Sequence, residues 1–208
     1  MRTRPETLLI AAMALFALTG LTAVYFLEQP SSAIDPAVLV DPALIGPTPA
    51  DLLPATPPQS AAAWFQQIRG YCNPVDVETR LRWQPAPGNE EGWKWQAACY
   101  ALAGKIDLAR ASIERLPPAM RYQGAGVVFE AGHPAADAGD ELAAGPLMEL
   151  VVEFWPNHYM ALYHAGAARY ERGDHEVARG YLERFLAVYQ VNDGWRSNAS
   201  SMLETIEG

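Results

Sequence analysis

The chain has 208 residues, half of them hydrophobic, with a net charge of −9, seventeen prolines and two cysteines. That length allows one modest domain with extensions, and the acidic balance with no basic block argues against nucleic-acid binding. Two cysteines are too few for a disulfide framework and lack zinc-site spacing.

Residues 1–7 carry Arg2 and Arg4 and precede twenty uncharged residues, Leu8 to Leu27. A helix rising 1.5 Å per residue over that length spans a hydrocarbon core of roughly 30 Å, so residues 8–27 are expected to form a transmembrane signal-anchor. A cleaved secretory signal is the alternative: its apolar core is shorter, about 7–15 residues, but Ser31-Ser32-Ala33 offers a small-residue cleavage site. The arginines favour the cytoplasm for the amino terminus, and no Lys or Arg follows before Arg69. The rest of the chain is then extracytoplasmic on a single-pass inner membrane protein, periplasmic if the cell is Gram-negative.

Residues 28–58 hold Pro30, Pro36, Pro42, Pro47, Pro49, Pro54, Pro57 and Pro58. Proline breaks helices and cannot donate to a sheet. The segment reads as a linker, extended at about 3 Å per residue. It is either a spacer that sets reach or a plain tether.

Residues 59–89 return to a helical pattern and read as a degenerate leading hairpin. Asn73 and Pro74 make a helix start. The run from Val75 to Trp83 alternates with period two, as a strand would, but a lone strand has no partner here, so helix is favoured.

A glycine recurs at Gly70, Gly104, Gly139 and Gly173, in steps of 34, 35 and 34. Trp93, Val128 and Leu162 keep the same phase, and so do Ala109, Ala144 and Ala178. Small residues Ala97, Gly132 and Gly166 let first helices approach second helices closely. Bulky Ile113, Met148 and Leu182 follow each alanine by four. The glycines fit left-handed helix ends, and Pro87 and Pro156 stop second helices. Pro134 within a first helix costs about 3 kcal/mol, so that helix is expected to be short, kinked or broken near His133-Pro134.

This pattern resembles the tetratricopeptide repeat, whose period is about 34 residues. Residues 159–192 carry the resemblance through Leu162, Ala165-Gly166, Gly173-Asp174, Ala178 and Leu182. Arg169 stands where the family usually has tyrosine. Residues 90–123 match through Trp93, Ala97, Tyr100, Gly104, Ala109 and Ile113, and residues 125–158 match more weakly. Residues 193–208 read as a capping helix with Trp195, Ala199, Met202, Leu203 and Ile206 on one face. The expected fold is therefore all-α, a helical-hairpin solenoid on a Pro-rich linker with an N-terminal membrane helix. Adjacent repeats could bring Cys72 and Cys99 together as a disulfide in an oxidising compartment. Two buried thiols are the alternative.

The resemblance implies peptide recognition along the face made by first helices. Phase places Trp64, Lys94, Phe129, His133, Met160, Tyr163 and Tyr170 near it, and aromatic and methionine side chains there fit apolar or extended peptides. Lys94 alone does not make a clamp for an acidic tail. Among the histidines, His158 and His164 are six apart on different faces and His175 follows a turn, so His133, His158, His164 and His175 are expected in structural or surface roles with no metal. Asp137, Asp140 and Glu141 read as caps around the Gly139 turn. The chain carries no nucleophile motif or phosphate loop, and no enzyme activity or cofactor is expected. The least favoured reading is an enzyme built on His133, Asp137 and Asp140. The function expected is protein–protein interaction in the cell envelope, with a structural tether as the competing reading. Any specialised site is expected between His133 and Tyr163, where the irregular repeat meets the best-formed one.

Overall fold

The computed structural model describes residues 60–208. The expected membrane span at residues 8–27 and the linker at 28–58 lie outside them. Among the described residues, no helix is long and apolar enough to cross a membrane. The described region is entirely helical, with no strand. Its α-helices are α1 (Ala61–Ile68), α2 (Val77–Trp83), α3 (Glu90–Leu102), α4 (Ile106–Glu114), α5 (Arg121–Asp137), α6 (Glu141–Phe154), α7 (Tyr159–Glu171), α8 (His175–Val188) and α9 (Gly194–Glu207).

Several helices start on a side-chain acceptor or stop on a turn that the sequence supplies. Asn89 caps α3 by accepting from the Gly92 N–H at 2.9 Å, Asp140 caps α6 through Ala143, and Asp193 caps α9 through Arg196. The helix pairs α3/α4, α5/α6 and α7/α8 turn at Gly104, Gly139 and Gly173, each with φ between 69° and 86°. All three turns close alike. The Gly173 N–H donates to the Tyr170 carbonyl and the Asp174 N–H to the Arg169 carbonyl, and the same two bonds recur at Gly104 and Gly139. This paired closure is the Schellman arrangement. Gly70 departs from the expectation. It lies inside a single 3-10 turn, Arg69–Tyr71, and is not left-handed.

Packing follows the small-to-large pairing. A Cβ placed on Gly166 would sit 2.7 Å from Leu182 Cδ2, and one on Gly132 would sit 2.6 Å from Leu147 Cδ2. Second-helix residues therefore pack directly onto the backbone of first helices. The buried apolar side chains form two clusters. The larger runs from Ala97 through Met148, Leu162, Leu182 and Phe185 to Ala199. The smaller gathers Trp64, Phe65, Ile68, Val77 and Leu81 around Cys72 and Cys99. Those two sulfurs are bonded, with their Cα atoms 4.9 Å apart. The bond joins the segment after α1 to the middle of α3.

One expectation about local structure holds and one changes. Residues 77–83 are helical, and the Asn73 side chain caps the turn before them by accepting from the N–H groups of Val75 and Asp76. More notably, α5 is not broken at Pro134 but runs through it for 17 residues. Proline removes the bond that the Glu130 carbonyl would receive. Glu130 and Pro134 both lie on the exposed face, where water can satisfy that carbonyl. The intact last turn of α5 places Asp137 one turn beyond His133.

Candidate functional site

The end of α5, the start of α6 and the middle of α7 converge on a cluster of histidines and carboxylates. Residues 133 and 137 lie four apart on α5 and so share a face. His133 Nε2 is 3.2 Å from Asp137 Oδ1, out of hydrogen-bond alignment. From α7, His164 enters with its side chain fully buried. Its Nδ1 lies 2.9 and 3.0 Å from the two oxygens of Glu141, the first residue of α6. A carboxylate accepts only, so Nδ1 carries the proton and donates. The other ring nitrogen, Nε2, is buried with no hydrogen-bond partner from the protein. One donor atom from each of His133, Asp137 and His164 falls within 4.8 Å of the others.

Aromatic rings wall this cluster. Phe129 stacks on His133 with centroids 4.5 Å apart, and His133 meets His164 edge-on at 5.2 Å. Tyr163 and Trp195 lie edge-on to His164 at 5.3 and 5.6 Å. His158 packs on Phe129 at 4.1 Å, and its Nδ1 accepts from the Ala161 N–H as the cap of α7. Burial, and then the neighbouring His133, hold the His158 pKa below its ordinary value. Burial raises the Tyr163 hydroxyl above its usual range, with the Glu141 charge acting in the same direction.

The residues expected to line a peptide groove are placed differently. Trp64, Lys94, Phe129 and Tyr163 are all less than a tenth exposed: Tyr163 sits against Phe185 of α8 and Trp195 of α9, and Phe129 against His133 and His158. Trp64 donates its indole N–H to the Gln84 carbonyl. The Lys94 ammonium reaches Glu91 and Gln123, both at 2.7 Å, and so ties α3 to α5. Met160 and Tyr170 are half-buried. Tyr163 and Tyr170 do border a cleft of about 360 Å³ between α7 and α9, with Glu141, Glu171, Asn198 and Met202. His175 is exposed at the start of α8. Asp140 serves as a cap, whereas Glu141 turns inward to His164.

Sequence reasoning placed the histidines in unrelated roles, because His133 and His164 are separated by a whole helix and two turns. An i, i+4 histidine–aspartate pair at the end of α5 was the available signal. Arg169 was also unassigned. It forms a fork with Glu149 on α6, with Nη2 2.7 Å from Oε2, and reaches Asp174 Oδ2 at 2.8 Å. Those bonds raise its pKa further above the ordinary arginine value and fasten α7 to α6 and to the Gly173 turn. Compared with protein-family profiles, curated proteins and solved structures, the chain has no significant match.

Proposed function

We propose that this chain is a membrane-anchored, extracytoplasmic helical-repeat protein of the tetratricopeptide kind, and that its repeat domain binds a protein partner in the cell envelope. The recurrence at Gly104, Gly139 and Gly173 carries the reading: the same two bonds close each turn, and matching small residues receive matching large ones on either side. Such arrays stack hairpins into an extended surface whose specificity lies in a few side chains. The apolar run Leu8–Leu27 supports the anchor. The Cys72–Cys99 bond supports an oxidising compartment.

The partner-binding face we assign is the cleft between α7 and α9. Tyr170 and Met202 give it an apolar floor, and Glu141 and Glu171 give it negative charge. It fits a segment carrying apolar and basic side chains. Photocrosslinking from position 198, on the other side of the cleft, in native membranes tests this, with position 75 on the exposed turn before α2 as the site of a control substitution. Tyr170→Glu should abolish a partner band that Val75→Glu leaves intact. Bands of equal strength in both variants would assign binding to another surface, or leave the chain as a structural tether. Intact mass of the membrane-extracted protein separates the anchor from a cleaved soluble factor, since a mature start at Ile34 would eliminate the anchor.

A further inference from the structure

His164 is the least explained group in the described chain. It is fully buried, one nitrogen is committed to Glu141, and the other is without a protein partner. A buried polar atom in that state is destabilising, and an apolar residue would fill the same space without that cost. Beside it stand a second imidazole and a carboxylate, His133 and Asp137. The ion-pair partners of Asp137 and Glu141 are these two histidines, and among the described residues no Lys or Arg pairs with either carboxylate.

We propose that His133, Asp137 and His164 bind a divalent transition metal ion of the zinc class. Two imidazole nitrogens and one carboxylate oxygen suit such an ion better than calcium or magnesium, which take oxygen donors. Glu141 holds His164 from behind. A carboxylate that accepts the Nδ1 proton fixes the tautomer, presents the Nε2 lone pair and makes that nitrogen a stronger ligand. Donor atoms around a tetrahedral ion at about 2.1 Å lie about 3.4 Å apart, so the present spread of up to 4.8 Å must contract. The contraction falls on His133 and Asp137, whose side chains are 26% and 50% exposed. His164 supplies the fixed point. The bound ion would tie α5 directly to α7, and through Glu141 to α6. Three protein ligands leave a fourth position for water or for a side chain of a partner.

The test uses the full-length, tag-free chain, stripped with a chelator and titrated with Zn²⁺ against a chromophoric competitor. One ion per chain is expected to bind, and Co²⁺ should give visible ligand-field absorption in the same site. At free Zn²⁺ about a hundred times Kd, Tm should rise by about 5–10 °C. His133→Ala and Asp137→Asn, at part-exposed positions, should fold normally and weaken binding by about 100-fold or more. Glu141→Gln, which removes only the support, should weaken it by about 10–100-fold. His175→Ala should change nothing. His164→Ala could fail to fold, so His133→Ala and Asp137→Asn decide the matter. Equal Zn²⁺ affinity in wild type and a His133→Ala/Asp137→Asn double variant would overturn the proposal, as would loss of binding on removing His175. Preference for Mg²⁺ over Zn²⁺ would refute the donor-set argument.

Discussion

Breaking the Cys72–Cys99 bond should destabilise the domain by an amount set largely by the loop it closes. The two residues are 27 apart, giving a loop of about 28 residues. Loop-closure entropy for that length is about 12 cal/mol/K, or about 3.5 kcal/mol at 25 °C. In a domain of this size that corresponds to a fall in Tm of about 7–14 °C. Both cysteines are buried, so Cys72→Ala/Cys99→Ala adds a small cavity and loses about 1 kcal/mol more. Thermal melts followed by far-ultraviolet circular dichroism, with and without reductant, measure the shift. Hydrogen exchange should locate it. The amides from Trp64 to Ile68 should lose protection first, because α1 packs mainly on α3 near the bond. A melt that moves by less than about 2 °C, with both thiols shown free by titration, would refute the entropic argument. It would mean that the smaller core cluster alone holds α1 and α2 in place.

The remaining predictions concern packing, turns and charge. Gly166→Ala forces a methyl group against Leu182 and should cost about 1–3 kcal/mol. Gly180→Ala, one helix later and facing open space, should gain about 0.5–1 kcal/mol, so equal effects in denaturant unfolding would refute the packing account. Gly173→Ala meets no neighbour but must hold φ at 83°, and should lower the unfolding free energy by about 1–2 kcal/mol. The Tyr189 hydroxyl donates to Asp193, which pushes the tyrosine up to about 12 and holds the aspartate below its usual value. The tyrosine contribution is therefore whole below about pH 10 and lost as pH rises toward 12. The aspartate contribution is present above about pH 4 and lost in more acid solution. A Tyr189 ring resonance that titrates near 10 in wild type, or does not move downward in Asp193→Asn, would contradict the pairing.

The helix-to-helix phase was legible because it depends on local chemistry. A left-handed turn calls for glycine, and a close helix approach calls for a small residue opposite a large one. Gly104, Gly139 and Gly173 announce the first, and Gly132 and Gly166 the second. Pro134 misled, because a proline count does not say which face of a helix it occupies. On the exposed face of α5 the missing hydrogen bond can be replaced by solvent. The groove residues misled for the opposite reason. Phase assigns a face but not its exposure: Lys94 is tied down to Gln123 of α5, Phe129 packs on His158, and Tyr163 lies against Phe185 and Trp195. The meeting of His133, Asp137, Glu141 and His164 was beyond local reasoning, since it requires three helices to be placed at once.

The two ends of the helical array are closed by different means. A covalent bond secures the first end. At the other, α9 contributes a single fully buried residue, Ala199, and rests the half-buried Trp195, Met202 and Leu203 on α7 and α8. Local opening free energy follows buried apolar contact, so the array should loosen from its carboxyl-terminal end. Trp195 is the ring that covers His164 and Tyr163 on that side. Each transient lift of α9 therefore uncovers the histidine cluster and widens the adjoining cleft, making the weakest helix a door. Amides of α9 should exchange fastest among the long helices, and a ligand seated beneath Trp195 should slow them.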